Sequence, residues 1–174
     1  MPHAFDPRRR PQLALAPATL PALHAALAGR VGADAVAVLQ ETGYATGVAY
    51  AAALRDWLDE RGDGAPERLP VPTFDERLST FFRELGWGEL AVRPAQGAIT
   101  VVETRDWAEW QEREPGEPPA CHFSTGLLAG HPLAVLEVER AEPRACRFLV
   151  GNEQVMGGVY ERLQRGEPVP AAAG

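Results

Sequence analysis

The residues best suited to chemistry lie in the last third of the chain, around its two cysteines. Cys121 begins a short apolar stretch that predicts one helix, and Cys146 begins the β-rich run Cys146-Arg-Phe-Leu-Val150. Glu137 lies between the two cysteines, and His122 follows the first. Thiols, imidazoles and carboxylates are the groups that bind zinc, and thiols also form redox pairs. In a reducing compartment, two cysteines are therefore free thiols, metal ligands or redox partners.

Two predicted hairpins and a helix would position these side chains. Residues 133–140 and 145–150 are predicted to form one hairpin, and residues 88–94 and 98–104 the other. The helix that begins at Cys121 lies between the hairpins in the sequence. Helices, hairpin, helix, hairpin and helix, in this order, predict an α+β fold with an antiparallel sheet of two hairpins packed with helices.

The first half of the chain is predicted to be helical. A short helix carries His24, which we expect to face solvent, and a long helix follows with Asp34 as its N-cap. Gly43 and Gly47 lie four residues apart on the apolar stripe of the long helix. Each glycine weakens the helix by about 1 kcal/mol relative to alanine. They predict close packing against another element or, alternatively, the approach of a ligand or of a partner subunit's helix.

Two further segments begin with the spacing of a capping box. Thr73 with Glu76 opens a third helix, and Asp106 with Glu109 opens a short segment that is rich in tryptophan. In such a box the two side chains satisfy backbone N–H groups of the first helical turn, which otherwise have no partner.

Composition and charge exclude several classes of protein. The net charge is −7, and all 17 basic residues are arginine. The missing lysine excludes Schiff-base chemistry and a Walker-type phosphate loop. The acidic balance argues against nucleic-acid binding.

The 174 residues predict one domain over residues 18–166, between flexible tails at residues 1–17 and 167–174. No apolar run approaches the roughly 20 residues of a membrane span, so we expect a cytoplasmic protein without membrane contact. Its abundant alanine, glycine and proline are typical of a GC-rich bacterial gene.

The spacing of residues around the cysteines resembles that of one known family. The chain resembles the 4-vinyl reductase domain family in its C-x4-G-x3-G spacing from Cys121 to Gly130, in Glu137 and in the run that begins at Cys146. A weaker similarity covers residues 39–47 and 81–88. These domains are ligand-binding modules related in fold to TRAPP vesicle-tethering subunits and to the haem–nitric oxide binding domain. The resemblance implies a small, usually dimeric α+β domain with an internal apolar pocket for a hydrocarbon-like ligand.

The resemblance also implies a metal site. In the aromatic-sensing transcription activators that carry this domain, cysteines and a glutamate hold a zinc ion. The family's remaining cysteine falls at Arg140, which does not bind a metal. Tetrahedral zinc then requires another ligand, and the candidates are His122, His131 and Glu139. The predicted metal ligands are Cys121, Glu137, Cys146 and His122.

Two other interpretations of these residues remain open. In the simpler one, Cys121 and Cys146 are small buried side chains, as free cysteines usually are. In the other, Arg140 pairs with Glu137 or Glu139 and replaces the metal as a structural clamp.

Aromatic side chains are the natural lining of the implied pocket. The candidate ligand-binding residues are Trp107, Trp110, Phe123 and Tyr160. Trp107 and Trp110 lie in a polar segment next to prolines, which favours a lid over the pocket or a subunit interface.

Three functions compete at this point. The first is a non-enzymatic, dimeric sensor domain that binds a small apolar or aromatic molecule and contains a structural zinc site. The second is a metal-dependent enzyme, either a reductase or a hydrolase, although no residue is assigned a catalytic role. The third is a dimeric assembly adaptor whose contact surface surrounds Gly43 and Gly47.

Overall fold

The structure is a computed structural model that describes residues 18–112, 120–130, 133–138 and 145–168. The described elements, in chain order, are α1 (Thr19–Val31), α2 (Ala35–Arg61), α3 (Val71–Glu84), β1 (Glu89–Pro94), β2 (Thr100–Arg105), α4 (His122–Leu128), β3 (Leu133–Val138), β4 (Arg147–Asn152) and α5 (Glu153–Gln164). This order confirms the predicted α+β class.

The four strands form one antiparallel sheet in the order β1-β2-β4-β3. The two predicted hairpins therefore join through the pairing of β2 with β4. Phe148 of β4 faces a large core formed with α2, α3 and α4, whereas Leu149 faces a smaller core formed with α5. Alternation along β3 places Glu137 on the same face as Val135, which packs against the large core.

The outer edge of β1 is closed by side chains of α3. The N–H of Leu90 donates to Ser79 Oγ at 3.4 Å, and the N–H of Val92 donates to Asp75 Oδ1 at 2.6 Å. The next residue with the same orientation is Pro94, which has no N–H to offer. Exposed strand edges are templates for pairing with another chain, and this edge, which the structure describes in full, has no donor left for that purpose.

Helices α2 and α4 touch through glycines. A β carbon at Gly43 would overlap the carbonyl oxygen of Phe123, and one at Gly47 would overlap the carbonyl oxygen of Leu127. From the other side, a β carbon at Gly126 would overlap the carbonyl oxygen of Gln40. The predicted close packing is confirmed. The alternative of a dimer face around Gly43 and Gly47 is wrong, because α4 of the same chain covers both glycines.

Asp34 is the N-cap residue of α2, as predicted, whereas two other predicted helix starts differ from the structure. Within the described part of the chain, Asp34 makes no side-chain cap bond at the start of α2. Helix α3 begins at Val71, before Thr73, because Pro72 in the first turn needs no N–H partner and already has a helical φ. The segment after Asp106 is a turn, with a φ of 50° at Asp106.

The helical segment Thr19–Arg61 carries several large apolar side chains that are exposed. By length and composition alone, 18 consecutive residues of this segment are apolar enough to cross a membrane, with a mean hydropathy of 1.4. The sequence expectation of a cytoplasmic protein without membrane contact stays a prediction. Only 17% of these 18 residues are buried. Gly32, with a φ of 60°, separates α1 from α2 within the segment.

Candidate metal and ligand site

The structure brings together three of the four predicted metal ligands. The sulfurs of Cys121 and Cys146 and a carboxylate oxygen of Glu137 all lie within 4.8 Å of one another. Cys121 is the N-cap of α4, Cys146 directly precedes β4, and Glu137 lies near the end of β3. The carboxylate of Glu137 accepts the N–H of Cys121 at 2.7 Å. The site therefore joins the first turn of α4 to two neighbouring strands.

A disulfide bond joins Cys121 to Cys146 in this structure. Both residues are 2% exposed. The backbone of Cys146 is held by Thr104: its N–H donates to Thr104 Oγ1 at 2.9 Å, and its carbonyl accepts the Thr104 N–H at 3.0 Å. These bonds extend the pairing of β2 with β4 by one residue, to Cys146, which directly precedes β4. The position of one sulfur-bearing residue is thus fixed by the sheet itself.

The donor set suits zinc in residue type once the two cysteines are reduced. Two thiolates and one carboxylate supply three positions of a tetrahedron. Among the described residues, His122 is not part of the group whose ligand atoms lie within 4.8 Å. The other predicted partners, His131, Glu139 and Arg140, lie outside the described residues. The fourth ligand and the clamp formed by Arg140 therefore stay predictions.

A second carboxylate at the same helix end was not predicted as a site residue. Glu109 is 0% exposed and accepts the N–H groups of Phe123 and Ser124 at 2.7 and 2.6 Å. His24 Nε2 lies 3.1 Å from Glu109 Oε1, close enough for an ion pair but without the alignment of a hydrogen bond. Gln111 Nε2 lies 3.2 Å from His24 Nδ1. Glu109 thus caps α4 instead of pairing with Asp106.

His24 is buried rather than exposed to solvent, which corrects the sequence expectation. Helix α1 brings its imidazole onto the buried carboxylate of Glu109. A buried carboxylate requires hydrogen bonds or an opposite charge. The weak signal for this contact was a polar residue between the apolar leucines and alanines of the short helix.

Seven aromatic side chains, which we call the aromatic cluster, fill the space next to this helix end. They are Tyr50, Trp57, Phe81, Phe82, Trp87, Trp107 and Phe123. Trp87 stacks on Phe123 with ring centroids 5.8 Å apart and planes inclined by 9°. Trp107 Nε1 donates to Ser124 Oγ at 2.7 Å, and Trp87 Nε1 donates to Tyr50 Oη at 3.0 Å. The cluster therefore combines ring faces with inward-facing polar atoms.

The four predicted ligand-binding residues do not all lie together. Trp107 and Phe123 belong to the aromatic cluster, and Trp110 packs against the same core at its margin. Tyr160 lies on α5 and is 54% exposed. Trp107 is only 3% exposed. Its predicted place on a lid is wrong, because Ser124 offers its indole N–H a partner inside the core.

An open groove of about 550 Å³ lies between α3 and the β1–β2 edge. Its lining includes Asp75, Glu76, Arg83 and Glu103. This charged groove differs from the internal apolar pocket implied by the resemblance. Sites for small apolar molecules are lined mainly by apolar and aromatic side chains, so the aromatic cluster is the better candidate for such a ligand.

Comparison with known proteins finds a solved structure of similar fold. No family model matches the chain, and no curated protein sequence matches it. The chain is similar to the phenol-responsive sensory domain of the transcription activator PoxR, solved with phenol, at 15% identity and a TM-score of 0.58. The match covers 86% of this chain and 82% of that one. The likeness shows the fold. The resemblance to the 4-vinyl reductase family stays a prediction.

Proposed function

We propose that this domain is a sensor module that binds a small apolar or aromatic molecule at the aromatic cluster. The observation that carries the proposal is the cluster itself, a set of buried rings with inward-facing polar atoms in a fold shared with a phenol-responsive sensory domain. Ring faces bind a planar ligand, and polar atoms such as Ser124 Oγ orient its hydroxyl group.

The rings are in contact with one another, so a ligand must displace some of them. Trp87 is the ring most suited to this, because its flat stack on Phe123 is an arrangement that a planar ligand reproduces. Phe123 lies two residues after Cys121 on the same first turn of α4. Binding at the cluster would therefore act directly on the helix that the disulfide and both carboxylates hold. This gives a physical route from ligand to conformational change.

The binding test is a phenol titration of the full chain, followed by intrinsic tryptophan fluorescence and by calorimetry. We expect saturable binding by the wild type. The affinity of Phe123→Leu should be about three- to tenfold lower, because a stacked ring pair contributes about 0.5–1.5 kcal/mol. Tyr160→Leu is the matched control, since Tyr160 is exposed on α5, and it should leave the affinity unchanged. A wild-type protein without saturable binding of phenol, or of other small aromatic molecules, would contradict the proposal.

The same proposal includes a zinc ion at Cys121, Glu137 and Cys146 in the reduced protein. Zinc would supply a structural cross-link between α4 and the sheet, as closed zinc sites do. The three residues would hold the ion, and Glu137 would also keep its bond to the Cys121 N–H. His122 remains the predicted fourth ligand.

We further propose that the domain is a homodimer that associates through the outer side of α1 and α2. Large exposed apolar residues on these helices support the proposal: Leu23, Val31, Val36, Val38, Tyr44 and Val48. Apolar patches of this kind on soluble proteins mark interaction sites. Sedimentation of the wild type should give a dimer, and Val48→Asp should shift it toward the monomer. A monomeric wild type at all concentrations would refute this interface.

A further inference from the structure

We propose that Cys121 and Cys146 form a redox gate for metal binding. The disulfide form excludes a divalent metal ion, and the dithiol form, together with Glu137, binds one. This inference deepens the zinc site proposed above and rests on it. The ligand class is a divalent ion of zinc type, which prefers thiolate and carboxylate donors.

The two forms exclude each other because they use the same atoms. The sulfurs that lie with the Glu137 carboxylate in one group within 4.8 Å are also the sulfurs of the disulfide. A sulfur in a disulfide carries no thiolate charge and is a poor zinc ligand, since the thiolate is the form that binds metals. Oxidation therefore removes two of three ligands in one step.

Glu137 gives the site a feature that a disulfide alone does not need. A disulfide is neutral, so its two sulfurs gain no charge pairing from a carboxylate beside them. Glu137 is 7% exposed and aims its carboxylate at the sulfurs while it accepts the Cys121 N–H at 2.7 Å. Next to a dication bound by two thiolates, the same carboxylate is a ligand. The metal-bound form would thus use a buried carboxylate that already lies within 4.8 Å of both sulfurs.

The backbone spacing is compatible with both forms. The Cα atoms of Cys121 and Cys146 are 7.0 Å apart, just beyond the range of about 4.4–6.8 Å that disulfides usually span. On a tetrahedral zinc ion the two sulfurs would lie about 3.8 Å apart, given Zn–S bonds of about 2.3 Å. The wide spacing lets the sulfurs separate to that distance while α4 and β4 keep their places.

The chemistry of the gate balances with a monothiol as the co-reactant. Two monothiol molecules of the glutathione type reduce the disulfide and become joined as their own disulfide. Two electrons and two protons end on Cys121 and Cys146. Metal binding then releases the two protons, because both thiols bind as thiolates. In the reverse direction, a small-molecule disulfide takes two electrons from the two thiolates, its own S–S bond breaks, and it leaves as two monothiols that take up two protons from solvent. The Cys121–Cys146 bond re-forms, and the ion leaves.

Cobalt(II) is the probe for the test, because thiolate ligands give it an intense charge-transfer absorption. The full chain is reduced, freed of reductant without oxygen and titrated with cobalt(II); a second sample is first oxidised with oxidised glutathione. One cobalt ion per chain is expected in the reduced protein. The affinity of the oxidised protein should be lower by about 100-fold or more, since it has lost two ligands.

Two variants separate metal binding from the disulfide. Cys146→Ser should lose both the disulfide and the charge-transfer band. Glu137→Gln should keep the disulfide, shown by thiol titration of the oxidised sample, while its cobalt affinity falls about tenfold or more. Glu161→Gln, an exposed change on α5, should behave as the wild type. Circular dichroism confirms that each variant is folded.

The possible results of the cobalt titration separate the gate from the zinc site. Reduced protein with two titratable thiols and no cobalt band would overturn both the gate and the zinc site. Equal cobalt binding by oxidised and reduced protein would overturn the gate and leave the zinc site. The phenol titration is run on the oxidised protein as well, so failure of the sensor proposal appears there and does not alter the cobalt result.

Discussion

The Gly126→Ala substitution is expected to lower the free energy of unfolding by about 4 kcal/mol or more, a large part of the total stability of a domain of this size. The added methyl would overlap the carbonyl oxygen of Gln40 on α2. The overlapping atoms belong to helix backbone, so no flexible side chain can give way. Relief requires α2 and α4 to move apart, which opens the core next to the aromatic cluster.

Gly157→Ala is the matched control for this change. Gly157 lies inside α5, and none of the described atoms would lie within 4 Å of its added β carbon. Alanine is the better helix former, so stability should rise by about 0.5–1 kcal/mol. Urea denaturation measures both variants, with soluble yield as the readout if Gly126→Ala does not fold. A Gly126→Ala protein within about 1 kcal/mol of the wild type would contradict the close contact of the two helices.

The Glu109→Gln substitution is expected to cost about 3 kcal/mol of stability, although it changes the side-chain shape very little. The carboxylate of Glu109 accepts two backbone N–H groups with its two oxygens. An amide keeps only one acceptor oxygen, and its NH₂ group would face a backbone N–H. The substitution also removes the negative charge beside the buried His24.

Glu161→Gln makes the same chemical change at an exposed site on α5 and should alter stability by less than about 0.5 kcal/mol. Urea denaturation of both variants at neutral pH gives the comparison. His24→Leu removes the imidazole beside Glu109 but leaves both N–H bonds to the carboxylate in place. Its stability should lie between those of Glu109→Gln and Glu161→Gln. Equal stability of Glu109→Gln and Glu161→Gln would show that α4 does not depend on the Glu109 carboxylate.

Patterns within single elements predicted much of the fold. The alternation of apolar residues identified the strands, and the two glycines on one helical stripe predicted a close contact that α4 makes. The resemblance brought Cys121, Glu137 and Cys146 together as candidate ligands, and the structure places them in one group. The pairing of β2 with β4 was not predicted, because it joins two hairpins and depends on contacts far apart in sequence.

The role of Glu109 was missed for a related reason. Its partners are the backbone N–H groups of Phe123 and Ser124, and every residue except proline has such a group. No residue type at those positions could indicate the contact. Trp107 was placed on a lid because its neighbours in the sequence are polar, yet the fold turns its ring inward toward Ser124. Burial of an aromatic ring depends on the path of the backbone, which local composition does not give.

The closed edge of β1 limits how copies of this sheet can aggregate. Ser79, Asp75 and the ring of Pro94 leave the described strand β1 without a free N–H along its outer side. A second chain could add a strand only beside β3, and each chain so joined would present its own blocked β1 edge outward. Growth by strand addition would end at two chains, so the sheet cannot serve as the repeating unit of a fibril through its edges.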